Sequence, residues 1–359
     1  MKKHDHMTTL RVFSSGLDVV PAITSWYLAE LGESRGKQEL FTKQAPQRLK
    51  VLREHALIES AVSSNRIEGV TVDQRRIHTV VFGRAHLRDR DEEEVRGYRN
   101  ALKLIHEQGA KLPVSEDTIR KLHTLARGEI GDAGHYKTKD GDIIERYPDG
   151  RTRVRFKTVP ASLTPSYMAQ LVSLWSDSLQ ERWGHPLIAL AAFNLDFLCI
   201  HPFRDGNGRV SRLLMLLQLY HLGYEVGRYI SIERIIEQSK DRYYETLEQS
   251  SHGWHEGKHD PWPYINYVLF TLKTAYREFE ERVGQVTSPK GAKTELIISA
   301  VNAFLGEFTL SDLERACPGV SRDMIRRVLR ELQKENKVEC LGRGPGALWK
   351  KRGNILERG

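Results

Sequence analysis

A chain of 359 residues with 40% hydrophobic and 28% charged side chains is too apolar for intrinsic disorder and long for a single core, which points to one large domain and a small one. Three scattered cysteines, Cys199, Cys317 and Cys340, exclude a disulfide framework and a zinc ribbon, and the charged start is followed by no apolar run of the kind a signal peptide needs, so a cytoplasmic location is expected. The net charge of +8 suggests an anionic partner, and residues 290–352, with 13 Lys and Arg against 8 Asp and Glu, hold most of the excess.

Helical periodicity predicts helices over 47–66, 92–108, 115–127, 164–181, 186–199, 210–222, 232–250 and 262–283, a mainly α protein. The first of these runs into Ser64-Asn-Arg-Ile-Glu68-Gly69, where Gly69 suits the residue just past a helix end. A carboxylate in a last turn is disfavoured by the helix dipole, so Glu68 would gain from a cationic partner, for which Arg212 is a candidate. Residues 142–160 depart from the helical pattern: Pro-Asp-Gly signals a turn and 153–159 alternates polar with apolar, which predicts a short β-hairpin. Such a hairpin is either a connector or a displayed edge for pairing with a peptide. The apolar stretch 186–200 is shorter than a membrane span of about 20 residues and contains Asn194 and Asp196, so it reads as a buried core helix.

That helix is followed by His201-Pro-Phe-Arg-Asp205-Gly-Asn-Gly-Arg209-Val-Ser-Arg212, a turn that feeds a second apolar helix. Gly206 and Gly208 let backbone N–H groups approach a ligand closely, and a helix N-terminus favours an anion there. Arg209 and Arg212 sit where the dipole disfavours a cation by roughly 0.3–1 kcal/mol each, which suggests a polyanion between them. His201 suits a proton acceptor near neutral pH, and Asp205 beside a phosphate site suits magnesium. Each residue alone has an ordinary structural explanation; their combination within twelve positions points to a nucleotide site. His123 and His255 have no metal-ligand spacing and read as structural.

Residues 282–294 are small, polar and rich in helix breakers, which places a linker and a boundary near residue 288. Beyond it, helices are predicted over 294–305, 311–316 and 321–333, with Ser321 as N-cap, followed by two strands within 338–351. Arg322, Arg326, Arg327 and Arg330 spread over the third helix. The order resembles the broad winged helix-turn-helix family, in which that helix is the candidate for DNA contact; such modules also dock proteins or dimerise.

The segment His201 to Arg212 resembles the signature of the Fic (Fic/Doc) family, His-x-Phe-x-(Asp/Glu)-Gly-Asn-Gly-Arg-x-x-Arg, at every defining position. Further similarity extends over about residues 45–285, through Glu94-Val-Arg-Gly-Tyr-Arg-Asn-Ala, Gly134-His-Tyr-Lys, the hairpin and Tyr243-Tyr-Glu-Thr-Leu. The resemblance implies a helical Fic core with a β-hairpin flap that aligns the target, transferring AMP from Mg-ATP to a Ser, Thr or Tyr hydroxyl of a protein with release of pyrophosphate. It implies His201 as general base, Asp205 as Mg²⁺ ligand, and Gly206, Asn207, Gly208, Arg209, Arg212 and Tyr244 at the nucleotide. Ser64, Glu68 and Gly69 match the family's inhibitory motif, in which the Glu pairs with the second arginine; in some relatives the same Glu serves removal of AMP. Gly208 separates this chain from the kinase-like relatives with Lys there. Ser251 stands where some relatives carry an adenine-contacting Asn, a departure that bears on base preference and keeps UMP, GMP or phosphoalcohol transfer as alternatives.

The expected organisation is an N-terminal helical region over 1–90 with the inhibitory helix, a catalytic core over 91–287 and a winged-helix domain over 288–359. The expected partners are ATP, Mg²⁺, a protein substrate that can be the chain itself, DNA through the C-terminal domain, and a second copy in a homodimer, with no membrane. A DNA-binding regulator whose Fic core senses nucleotide or modifies itself is the competing reading.

Overall fold

The computed structural model describes residues 8–352 except 18, 45, 84–85, 129–130, 147–148, 285–291, 305, 318–319, 343 and 345. The predicted boundary near 288 and Pro148 of the predicted turn lie outside the described residues. At the centre are α8 (Pro186–Ile200) and α9 (Asn207–His221), joined by the loop 201–206. Leu187 to Ile200 are buried without exception, so α8 is wrapped on every side, by α7 (Thr164–Gln180), α9, α12 (Trp262–Gly284), α1 (Thr9–Phe13) and α11 (Lys240–Ser251). Its two polar residues are accounted for. Asn194 donates to Ser211 O at 2.7 Å and accepts from Tyr264 OH at 2.6 Å. Asp196 accepts from the backbone N–H groups of Thr9 and Leu10, 2.8 and 3.0 Å, and from Trp254 Nε1, 2.7 Å. The carboxylate thereby caps the first turn of α1 and keeps the buried charge bonded.

Helix α9 packs on α5 (Arg90–Gln108), α6 (Glu116–Arg127) and α3 (Pro46–Ile67). The end of α3 is a Schellman turn: Gly69 N donates to Arg66 O and Val70 N to Asn65 O, both 3.0 Å, with Gly69 at φ +84°. Strands β1 (Ile143–Arg146) and β2 (Thr152–Phe156) form the hairpin, with an irregular register between Ile143 and Ile144. Ile143 faces Phe156 and Ile144 faces Val154, so Arg155 is the extra residue of a bulge and its side chain is redirected toward α11.

The C-terminal unit consists of α13 (Ala292–Ala303), β3 (Phe308–Thr309), α14 (Leu310–Ala316), α15 (Arg322–Lys334), β4 (Val338–Cys340) and β5 (Leu348–Lys351). Its sheet is antiparallel with β5 between β3 and β4. It has its own apolar cluster, which includes Val51 of α3. His55, one turn further along α3, meets the Phe304 ring edge-on at 5.8 Å. One face of α3 therefore seats this unit while Ser64 and Asn65 near its end face α9.

Two expectations are corrected. The helix predicted over 232–250 is two helices, α10 (Ile232–Gln238) and α11, because Ser239 leaves helical geometry at φ −119°, ψ 33° and its hydroxyl bonds back to Ile235 O at 2.9 Å. Helix α2 (Ala22–Gln44) was not predicted: Ile23, Trp26 and Leu40 are exposed apolar residues that blur its periodicity, and it is held by packing on α12. No helix among the described residues is long and apolar enough to cross a membrane.

Candidate active site

The loop 201–206 gains its shape from its own side chains. Helix α8 ends on His201, which adopts the left-handed region at φ 52°, ψ 61°, unusual for a residue with a Cβ. Asn207 then staples the loop: its Oδ1 accepts from Phe203 N at 2.9 Å and its Nδ2 donates to Phe203 O at 2.8 Å. Phe203 stacks on His123 at 3.8 Å, and His123 Nε2–H donates to Asp205 O at 3.0 Å. Gly206 precedes α9 at φ +83°. The backbone N–H groups of Asn207, Gly208 and Arg209 lie in the first turn, before the helical ladder begins with Val210 N donating to Gly206 O at 3.0 Å.

His201 Nδ1–H donates to Leu198 O at 3.3 Å, so Nε2 is the unprotonated nitrogen of the neutral ring. Burial pushes the ring's pKa down to about 4, and the Lys137 charge acts in the same direction. A pocket of about 360 Å³ opens beside it, walled by Leu198, Leu247 and Phe156 and reaching Tyr244, Gly208 and Glu68. Ser251 also lines it, and its hydroxyl is turned back to Glu248 O at 3.2 Å. Tyr244 OH donates to Ile67 O at 3.4 Å, which ties the pocket wall to the end of α3.

Arg209 and Arg212 are both buried, but among different partners. Arg209 donates to Glu94 Oε2 at 2.6 Å and to Asn65 Oδ1 at 3.2 Å. Glu94 also accepts from Arg127 at 2.7 Å and from Arg90 at 3.1 Å, so one buried carboxylate gathers three guanidiniums beneath the loop. Asp205, half exposed, lies above them, with Arg127 at 2.7 Å, Arg90 at 3.3 Å and Arg209 at 3.5 Å. Burial works to raise the Asp205 carboxyl, and the Arg127 and Arg209 charges outweigh it and hold it below the usual range. Arg212 donates to Ser64 Oγ and Ser64 O, each at 2.9 Å, and to Glu68 Oε1 at 2.8 Å. Its Nη1 is buried without a hydrogen-bond partner among the described residues and stands 3.2 Å from where a Cβ on Gly208 would lie. An orphaned cationic donor beside a helix N-terminus is a fit for a phosphate oxygen.

Set against known protein families, residues 113–219 match the one described as the Fic/DOC family. This part of the chain is a Fic domain. Chains called protein adenylyltransferase Fic from Drosophila mojavensis and Nematostella vectensis are 25% and 26% identical over 257 and 222 residues, which is 70% and 59% of this chain. The chain spans 46% of the length of each of these relatives. A solved Fic family protein from Desulfovibrio desulfuricans superposes with a TM-score of 0.60 at 24% identity, covering 95% of this chain and 99% of that one. A Fic domain-containing signalling protein from Bacteroides thetaiotaomicron gives 0.58 at 23% identity, covering 69% and 94%. These structural likenesses establish a shared helical Fic fold.

The Fic domain contains His201, Asp205, Arg209 and Arg212, whereas Ser64, Glu68, Gly69 and Tyr244 lie outside the matched residues; Glu68, at the end of α3, and Tyr244, on α11, line the pocket, and Ser64 meets Arg212. Arg127 is not singled out by the sequence, and Glu94 and Lys137 stand in the segments similar to the family without a role assigned to them. The flap lines the pocket and is held from α11 and the turn after it: Arg153 and Arg155 both pair with Glu248, the latter at 2.6 Å, and His255 Nε2–H, beyond the end of α11, donates to Lys157 O at 2.7 Å. Far from this site, Arg322, Arg326, Arg327 and Arg330 are exposed on α15, where the first three pair with Glu314, Asp323 and Glu331 at 3.4–3.9 Å. Ser321 is the N-cap residue of α15 but makes no side-chain capping bond.

Proposed function

We propose that this chain is a protein adenylyltransferase restrained by its own Glu68. The observation that carries the reading is the placement of an unprotonated His201 Nε2 in the same pocket as Gly208 and the N-terminal turn of α9. The target hydroxyl oxygen would attack the α-phosphorus of ATP; that P–O bond forms, the bond to the β-phosphate bridging oxygen breaks, pyrophosphate leaves, and the hydroxyl proton passes to Nε2. The first-turn N–H groups and Arg212 would bind the phosphates, while Arg209, already paired with Glu94, would hold the loop from beneath. The apolar wall of Leu198, Leu247 and Phe156 suits a nucleobase, with Tyr244 beside it.

Among the described residues no group of three or more acidic, His or Cys side chains could hold a metal. A single half-exposed carboxylate, Asp205, fits magnesium arriving with a triphosphate, since Mg²⁺ commonly takes one or two carboxylates plus phosphate oxygens. Bound there, the ion would neutralise phosphate charge, and Asp205 would be its protein ligand.

Glu68 would act as a brake by occupying Arg212, its carboxylate filling space that a phosphate needs. The reverse reaction would use the same carboxylate to orient a water on the modified target. The same reading takes 1–90, 91–287 and 288–359 as the three regions, a homodimer as the assembly and the cytoplasm as the location. Full-length protein incubated with ATP, GTP, UTP and CTP, each labelled at the α-phosphate, is expected to label itself from ATP and to lose labelling in His201→Ala. Labelling that prefers another nucleotide, or survives His201→Ala, would overturn the reading.

A second reading has one observation in its favour. The C-terminal unit, with a basic exposed α15, is seated on α3 through Val51 and His55, and α3 ends in Ser64 and Glu68. A winged-helix module that binds DNA there would bias the brake, and by linkage the nucleotide would change DNA affinity by the same factor. A salt-dependent DNA shift that is lost in Arg326→Ala/Arg330→Ala supports it; no shift at low salt removes it.

A further inference from the structure

Lys137 belongs to the motif Gly134-His-Tyr-Lys, and its side chain is buried between two parts of the site. Its Nζ donates to Ile200 O, the carbonyl just before His201, at 3.1 Å, and to Thr158 Oγ1, at the base of the flap, at 2.8 Å. Its backbone N donates to Pro202 O, just after His201, at 2.8 Å. The residue therefore grips the carbonyls of both neighbours of His201, whose left-handed backbone conformation is costly for a side chain with a Cβ and has to be held by its surroundings. Thr158 passes the link on by donating to Gly141 O at 2.5 Å, in the segment entering β1.

We propose that Lys137 is a positioning residue that fixes the angle of the His201 ring and locks the base of the flap to it, so that target alignment and proton acceptance are set by one ammonium group. The inference rests on the functional reading above. A lysine ammonium has three donors, and two of them serve these acceptors. Desolvation fits the placement: Lys137 is 8% exposed and its pKa is brought down to about 8, with Asp140 and Asp142 working to raise it. The charged groups facing His201 are Lys137, Glu68 and Asp205. Of these Lys137 disfavours protonation of the ring and the two carboxylates favour it.

The test compares full-length Lys137→Met and Thr158→Val with wild type in three measurements: self-labelling from ATP, NMR titration of the His201 ring, and hydrogen exchange over 143–156. Lys137→Met is expected to lower kcat by 10- to 100-fold with the KM for ATP within twofold, to raise the His201 titration midpoint, and to speed flap exchange. Thr158→Val removes the two flap-side bonds, to Lys137 Nζ and Gly141 O, and keeps the bond to Ile200 O, so it is expected to speed flap exchange and leave the His201 midpoint in place. The proposal is overturned if folded Lys137→Met keeps the wild-type His201 midpoint and flap exchange. It is equally overturned if Lys137→Met does not fold and Thr158→Val leaves flap exchange unchanged. Wild type that transfers no AMP would sink the functional reading instead, since titration and exchange report on Lys137 whether or not AMP moves.

Discussion

Glu68 reaches from the end of α3 to the start of α9: its Oε1 accepts from Arg212 Nη2 at 2.8 Å and lies 2.2 Å from where a Cβ on Gly208 would project. Only a glycine permits that approach. The same oxygen therefore satisfies an arginine and occupies space at the helix N-terminus. Hydrogen bonds to charged groups contribute about 1.5–3 kcal/mol, which corresponds to roughly 10- to 150-fold in the affinity of a competing anion. Glu68→Gly is expected to raise the initial rate of self-labelling from ATP by about tenfold or more. Equal rates in wild type and variant would remove the brake from the proposed function.

Beneath the loop, Glu94 is the common acceptor of Arg90, Arg127 and Arg209 and is 2% exposed. Deleting its carboxylate takes away the buried partner of Arg127 and Arg209, which keep the half-exposed Asp205, and breaking a buried ion pair this way costs about 3–5 kcal/mol. Glu94→Ala is expected to lower the urea midpoint accordingly with an unchanged slope. Arg90→Ala, whose partner keeps two other cations and whose own side chain is largely exposed, is expected to cost under about 1 kcal/mol. Equal losses from the two variants would show that Glu94 is not the hub.

Residues 201–212 were legible because the site is local: a helix end, two glycines and a helix start lie within twelve positions. The core was legible where burial is continuous, as in α8, and the flap where a turn signal meets alternation. Glu94 was not, because it ends the acidic run Asp91-Glu92-Glu93-Glu94, which by itself reads as a solvated first turn favoured by the dipole. Only the long-range approach of Arg209 and Arg127 makes it a buried acceptor. The role of Lys137 was hidden in the same way, since its acceptors are a backbone carbonyl, which leaves no mark in a sequence, and a threonine hydroxyl 21 residues away. The break at Ser239 was missed because apolar period continues across it while a single hydroxyl bond ends the helix.

His55 and His106 are held down to about pKa 3, and His123, His201 and His259 to about 4, each chiefly by burial. Their folded values lie below the unfolded value of about 6.5, so their contribution is complete above that pH and is lost as pH falls toward 4 and below. Burial raises the Glu59 and Asp196 carboxyls, which work in the opposite sense: their contribution is complete below the usual carboxylate range and is lost as pH rises. A single histidine isolates the effect. His106 Nδ1 and Tyr220 OH are hydrogen-bonded at 3.0 Å, and burial keeps the ring neutral. The pH dependence of unfolding free energy in His106→Asn is expected to be shallower than in wild type by about 1.4 kcal/mol per pH unit between pH 6.5 and 4. Parallel curves for the two proteins would contradict the depressed value.

Glu248 holds the flap through Arg153 and Arg155, and the bulge at Arg155 exists in a register that turns this side chain toward α11. The partners are partly exposed, so the pairs together are worth on the order of 1 kcal/mol, about fivefold in an equilibrium. Stability of the whole chain should therefore hardly change in Glu248→Ala, while the flap, left with the Lys137–Thr158–Gly141 link at its base and the contacts of Lys157 O and Phe156 with His255, opens more often. Hydrogen exchange over 143–156 is expected to quicken by about that factor, and the KM for a protein acceptor to rise with the KM for ATP unchanged. A rise in the ATP KM alone would place Glu248 at the nucleotide and not at the flap, because the same side chain also lines the pocket.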